Sequence, residues 1–188
     1  MSKKYHIIYA DPPWKFRTYS KNGSLHKSAD CHYPCMQIKD IMALPVADIA
    51  ADDCVLFLWV TFPLLQEGLD TMKAWDFTYK TCGFNWVKRN KKADSWFMGL
   101  GFWTRSNSEL CLLGTRGNPH RVSRSVPQIC DDRIMEHSRK PDSIRDRIVE
   151  LCGDVPRIEL FARKQYDGWD CLGNEIDGRD IRETILEV

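Results

Sequence analysis

The run Cys54-Val55-Leu56-Phe57-Leu58-Trp59-Val60 constrains this chain more than any other stretch. It is apolar at both parities, so an extended strand built from it must be covered on both faces, as in a sheet held between two layers. Three further runs have strand length: Tyr5-His6-Ile7-Ile8-Tyr9-Ala10, Glu109-Leu110-Cys111-Leu112-Leu113-Gly114 and Arg157-Ile158-Glu159-Leu160-Phe161-Ala162. Gln37 to Leu44 reads as a short helix stopped by Pro45. Pro63 opens another through about Trp75, with Leu64, Leu65, Leu69 and Met72 close to helical spacing. Pro141 to Cys152 reads as a third, with Ile144, Ile148, Val149 and Leu151 on its core face and Gly153 at its end. Phe77, Tyr79, Phe84 and Trp86 predict one or two strands around Gly83. Residues 11–35, 90–107 and 116–140 have no sustained period and read as long loops, which in a compact domain usually carry function. Strands alternating with helices predict an α/β fold, a mostly parallel sheet with helices on both faces. One domain is expected over residues 1–188, with the tail 178–188 a short helix outside the core.

No stretch approaches the ~20 apolar residues that cross a membrane. Met1-Ser2-Lys3-Lys4 enters the first strand without the apolar segment of a signal peptide, so a cytoplasmic protein with no membrane partner is expected. Cys54, Cys111 and Cys152 lie within apolar segments, where cysteine acts as a small hydrophobe and not as half of a disulfide. The tight cluster Cys31-His32-Tyr33-Pro34-Cys35 lacks the further ligands that zinc requires, and no metal is expected. A net charge of +1 is uninformative, but its distribution is not. Lys3, Lys4, Lys15, Arg17, Lys21 and Lys27 face the single acid Asp11 across residues 1–27. Two more basic groups are Lys88-Arg89-Asn90-Lys91-Lys92 and Arg116, Arg121 and Arg124. Interleaved with Trp14, Phe16, Tyr19, Trp86, Trp96, Phe97, Phe102 and Trp103, they suit a nucleic-acid surface, though each alone also reads as solvated surface.

Asp11-Pro12-Pro13-Trp14 follows the first strand directly, where ligands of α/β sheets bind. The exocyclic nitrogen of adenine is a poor nucleophile, because its lone pair is delocalised into the ring. Methyl transfer to it needs the amine held in line with the donor, and acceptors on its two hydrogens favour the nucleophilic state. Asp11 offers a carboxylate, Pro12 a carbonyl, and the prolines stiffen the turn while removing competing amide donors. Trp14 offers a stacking face worth about 1–3 kcal/mol per base. The competing reading is a plain turn with a core tryptophan.

These residues resemble the signature of the MT-A70 family of S-adenosylmethionine-dependent adenine N6-methyltransferases. The resemblance continues, in family order, through His32-Tyr33 with Met36, Leu56 to Thr61, Trp86-Val87-Lys88 and Gly99 to Glu109. It continues through Leu113-Gly114, Arg116-Gly117, His137 to Asp142, Glu159 to Arg163 and Gly168-Trp169 to Glu175. It implies a Rossmann-like methyltransferase fold of permuted motif order, the catalytic strand preceding the cofactor strand, with S-adenosylmethionine as cofactor. By this resemblance Asp11, Pro12, Pro13 and Trp14 are catalytic. Asp11, Ser138, Lys140, Phe161, Arg163, Asn174 and Glu175 hold the cofactor, Lys140 facing its methionine carboxylate and Arg163, Asn174 and Glu175 its ribose and adenine. Lys15, Tyr33, Lys88, Arg105, Asn107 and Glu109 lie on the substrate side, with Gly99-Leu100-Gly101 lending flexibility to that loop. Better-known eukaryotic members carry an acidic residue upstream of the catalytic strand that this chain lacks, so part of the adenine pocket must be made otherwise. The expected reaction is N6 methylation of adenine in DNA, the base flipped into the pocket and stacked on Trp14 or a loop aromatic. The same chemistry on RNA, methylation of cytosine N4, and a non-catalytic partner subunit stay open, as does a homodimer.

Overall fold

A computed structural model of the chain describes residues 3–15, 35–136 and 139–188. The strands are β1 (Tyr5–Ala10), β2 (Ala50–Val60), β3 (Thr78–Val87), β4 (Ser108–Arg116), β5 (Ile129–Cys130), β6 (Arg157–Leu160) and β7 (Asp170–Leu172). They form one sheet in the order β5-β3-β4-β2-β1-β6-β7. β1 runs parallel to both β2 and β6, β6 is parallel to β7 and β3 to β5, as a mostly parallel sheet requires. β4 alone runs against its neighbours β2 and β3, because the segment after β3 folds back as a hairpin, with the Lys88 amide donating to the Asn107 carbonyl at 2.8 Å.

Alternation along β1 separates two cores. Ile8 and Ala10 point to the face covered by α1 (Ile38–Met42), α2 (Val46–Ile49) and α3 (Leu65–Ala74), where Ile41, Val46, Ile49 and Met72 meet Leu56, Leu58 and Leu112. Ile7 and Tyr9 point to the other face, where Ile144, Ile148 and Cys152 of α4 (Ser143–Cys152) pack on Phe57, Trp59 and Phe84. Each buried large side chain contributes about 1.5–3 kcal/mol. Helices therefore cover both faces, and the doubly apolar run of β2 sits in the middle.

Several boundaries differ from the sequence reading. β2 begins at Ala50, since Asp52 and Asp53 stay exposed at its edge while the backbone already pairs. Pro63 lies in a 3₁₀ turn over Phe62–Leu64, and the α-helix starts only at Leu65. Val149 and Leu151 are half-buried, whereas Arg145 is the unexpected buried residue of α4. The region read as one or two strands around Gly83 is a single bulged strand. The tail is helical, α6 (Ile181–Thr184) followed by a 3₁₀ turn over Ile185–Glu187, but it is not outside the core. Ile181 and Ile185, four residues apart on one helix face, are 4% and 1% exposed in the same cluster as Ile8 and Leu56.

Candidate active site

β1, β2, β6 and β7 all end at one edge of the sheet, and β4, running the other way, begins there. A cleft of about 2120 Å³ opens along that edge. Single small-molecule sites usually occupy about 300–1,000 Å³, so this cleft has room for a donor and a base together.

Asp11 stands one residue past β1. The Lys140 ammonium donates to both of its carboxylate oxygens, at 2.8 and 2.7 Å, and lies 3.4 Å from Glu109 Oε2. Lys88 binds the other oxygen of Glu109. The result is a line of alternating charge, Asp11–Lys140–Glu109–Lys88, with Lys140 also 5.4 Å above the Trp59 ring. Burial pushes the Asp11 carboxyl above the ordinary carboxylate range, and Lys140 pulls against it. For Glu109 burial pushes the same way, but Lys140 and Lys88 outweigh it and hold the carboxyl below its ordinary value. Lys140, expected beside the cofactor carboxylate, is thus bound to Asp11 itself.

Trp14 is not an open stacking platform. Its side chain is packed into the core with the residue 8% exposed, and its indole N–H donates to the Trp59 carbonyl at 2.9 Å. Trp59 in turn donates to Tyr9 Oη at 2.7 Å. The cause is the turn: the Trp14 amide donates to the Pro12 carbonyl at 2.8 Å and the Met36 amide to the Pro13 carbonyl at 3.0 Å, which folds the ring beneath the strand ends. Trp14 contributes one wall of the cleft. The Pro12 carbonyl keeps a second acceptor site.

Along the rest of the edge, Phe161 follows β6 at φ 63°, a left-handed conformation that a bulky residue adopts only when its surroundings impose it. Arg163 Nε is 3.5 Å from Glu175 Oε1, and Asn174 and Glu175 open the short helix α5 (Asn174–Asp177). All four line the cleft. The Thr61 hydroxyl, at the end of β2 and also lining the cleft, is buried with no hydrogen-bond partner among the described residues. An ammonium, a guanidinium, an amide, a carboxylate and an aromatic face, with an unsatisfied hydroxyl among them, fit a ligand with a zwitterionic end and a hydroxylated sugar. Of the substrate-side residues, Lys88, Arg105, Asn107 and Glu109 border the cleft, whereas Lys15 is exposed and does not. Tyr33 and Ser138 lie outside the described residues. Gly99-Leu100-Gly101 does not give a slack loop. The Gly99 amide donates to the Ser106 carbonyl at 2.7 Å, and a Cβ on Gly101 would lie 2.2 Å from the Thr104 carbonyl, so the two limbs of the turn touch.

Sequence reading missed the charged network under the site. Arg145 binds Glu159 through two 2.6 Å bonds, contacts Asp142 at 3.2 Å and lies 3.5 Å from the centre of the Tyr166 ring. Burial raises the Glu159 carboxyl above its ordinary value, opposed by Arg145. The pair ties α4, whose preceding turn carries Lys140, to the end of β6 beside Asp11. Its signal was a carboxylate between Ile158 and Leu160 in an otherwise apolar strand.

Known proteins resemble this chain over most of its length. The MT-A70 family model matches residues 5–175. The chain is 34% identical over 195 residues to the Type II methyltransferase M.MunI of Mycoplasma sp, covering 95% of this chain and 81% of that protein. It is 33% identical over 181 residues to the N(6)-adenosine-methyltransferase MT-A70-like protein of Drosophila melanogaster, covering 93% of this chain and 27% of the relative. With the N(6)-adenosine-methyltransferase catalytic subunit of Homo sapiens it shares 30% identity over 181 residues, 93% of this chain and 29% of that one.

Proposed function

This chain belongs to the MT-A70 family, and from that membership we propose that it transfers a methyl group from S-adenosylmethionine to the N6 amine of adenine in DNA. The observation that carries the reading is Asp11, fixed by Lys140 at the end of β1, in a cleft with room for two ligands. The family's donor supplies an electrophilic methyl carbon on a sulfonium. Phe161, Arg163, Asn174 and Glu175 are the residues that would hold it, while the Lys140 ammonium is engaged on Asp11 and Glu109. Asp11 accepts one hydrogen of the adenine amine and the free acceptor site of the Pro12 carbonyl takes the other, which aims the nitrogen lone pair and restrains the base. Lys140 lowers the Asp11 pKa against the pull of burial, and Glu109 limits where the ammonium can go. The methylated amine is acidic enough to release its proton to solvent or to Asp11, so no histidine need take part. Arg145 and Glu159 tie α4 to the end of β6 beneath these groups.

DNA is favoured because the relative matched over most of its own length is a Type II methyltransferase. RNA is the second reading, favoured by relatives named for adenosine, the ribonucleoside. Labelled-methyl transfer to single-stranded DNA, duplex DNA and RNA, followed by digestion to nucleosides, separates them. N6-methyldeoxyadenosine is expected, N6-methyladenosine alone would select RNA, and no methyladenine on any substrate would overturn both.

A further inference from the structure

A base inside a duplex cannot reach Asp11 without leaving its stack, and the protein must stabilise the gap it leaves. Trp14 cannot do so, being walled into the core. The turn between β3 and β4 has the features that can. Its limbs are clamped by the amide of Phe97 to the carbonyl of Lys88 at 2.8 Å and of Gly99 to Ser106 at 2.7 Å, with the glycine contacts above excluding any side chain between them. At its tip Trp103 is fully exposed and held at φ 64°, a left-handed conformation unusual for a bulky residue. Every residue from Phe97 to Glu109 borders the cleft except Trp103, whose ring is left in solvent.

We propose that Trp103 is a wedge that enters the base stack of duplex DNA and occupies the place of the adenine turned into the cleft. This deepens, and rests on, the reading of the protein as a DNA adenine methyltransferase. Aromatic and aliphatic wedges of this kind are a general means of unstacking a duplex. The charges around the turn choose this occupant over a second copy of the chain. Lys91, Lys92 and Arg105 are exposed, and none forms an ion pair among the described residues. Two copies meeting through this turn in an isologous contact would set these cations against themselves. Phosphates flanking an opened base pair would neutralise them. Arg105, within the cleft border and two residues from the wedge, is placed for the phosphate of the turned-out nucleotide.

The test compares duplex and single-stranded DNA carrying the same target adenine, with 2-aminopurine at that position in a parallel binding assay. Trp103→Ala is expected to lower methylation of the duplex at least tenfold more than that of the single strand and to remove the 2-aminopurine fluorescence rise on duplex binding. Trp103→Phe should restore most of both. Equal losses on the two substrates, or none, with an active wild-type protein would overturn the wedge alone. So would a change of oligomeric mass in Trp103→Ala by sedimentation, which would make the turn a subunit contact. A wild-type protein that methylates neither form would overturn the DNA reading and the wedge with it.

Discussion

The two walls of the cleft are built on opposite terms. Along the strand ends and the turn before α4 the charges hold one another: Asp11 on Lys140, Lys140 on Glu109, Glu109 on Lys88, and Glu159 on Arg145. Across from them the turn 96–105 puts Trp96, Met98, Leu100 and Trp103 into solvent over a few backbone hydrogen bonds. Two tryptophans make the contrast concrete. Trp14 is anchored by its N–H and buried, while Trp103 is strained and bare. Chemistry that depends on lining up a weak nucleophile needs groups fixed to a fraction of an ångström, which mutual bonding supplies. Recognition of a polymer needs apolar and cationic surface left unsatisfied until the polymer arrives.

Breaking the fixed wall should have the largest effect. Arg145→Ala leaves Glu159 buried without its cation and is expected to cost about 3–5 kcal/mol in urea unfolding. The deficit should narrow as pH falls. With its folded-state pKa raised by burial, and raised further once Arg145 is gone, Glu159 takes up a proton in the folded protein before it does so in the unfolded chain, and the protonated form tolerates burial. An unchanged deficit across that range would remove the buried pair from the explanation. Next in size, Trp14→Phe orphans the Trp59 carbonyl and should cost about 1–3 kcal/mol. Trp103→Ala should stay within about 0.5 kcal/mol of wild type, as an exposed substitution does. Equal destabilisation by the two would erase the contrast between the walls.

The smallest effects are shifts of the pH profile for the chemical step, measured in single turnover with both ligands saturating. Activity needs Asp11 ionised, and burial raises its pKa, so the acid limb should lie above the ordinary carboxylate range. Lys140 lowers that pKa, so Lys140→Met should move the limb to higher pH. Glu109 raises it, so Glu109→Gln should move the limb to lower pH. Shifts of the same sign would contradict the charge line.

What was legible in the sequence was local. Asp11 and Arg163 were placed by position, each read as following an apolar strand, whereas Phe161 and Asn174 came only from the family resemblance. The burial of Trp14 was not legible, because it depends on the carbonyl of Trp59, 45 residues away. Likewise β5 and β7 span two and three residues and owe their existence to pairing with β3 and β6, which no local pattern records. Lys140 came from the resemblance as a partner of the donor's carboxylate, and only the fold shows that Asp11 and Glu109 reach it first. The left-handed backbone of Phe161 and Trp103 had no signal at all, neither being glycine.

The most direct measurement of the central claim is methyl transfer to adenine by Asp11→Asn, which keeps the shape of the side chain and removes the charge that Lys140 holds. Binding of S-adenosylmethionine is followed calorimetrically in the same samples, so that a loss of chemistry is separated from a loss of donor. With donor bound, the wild-type protein should yield N6-methyladenine and Asp11→Asn should yield none above the uncatalysed background. Transfer at the wild-type rate by donor-bound Asp11→Asn would contradict the assignment of the strand-end carboxylate as the group that grips the amine.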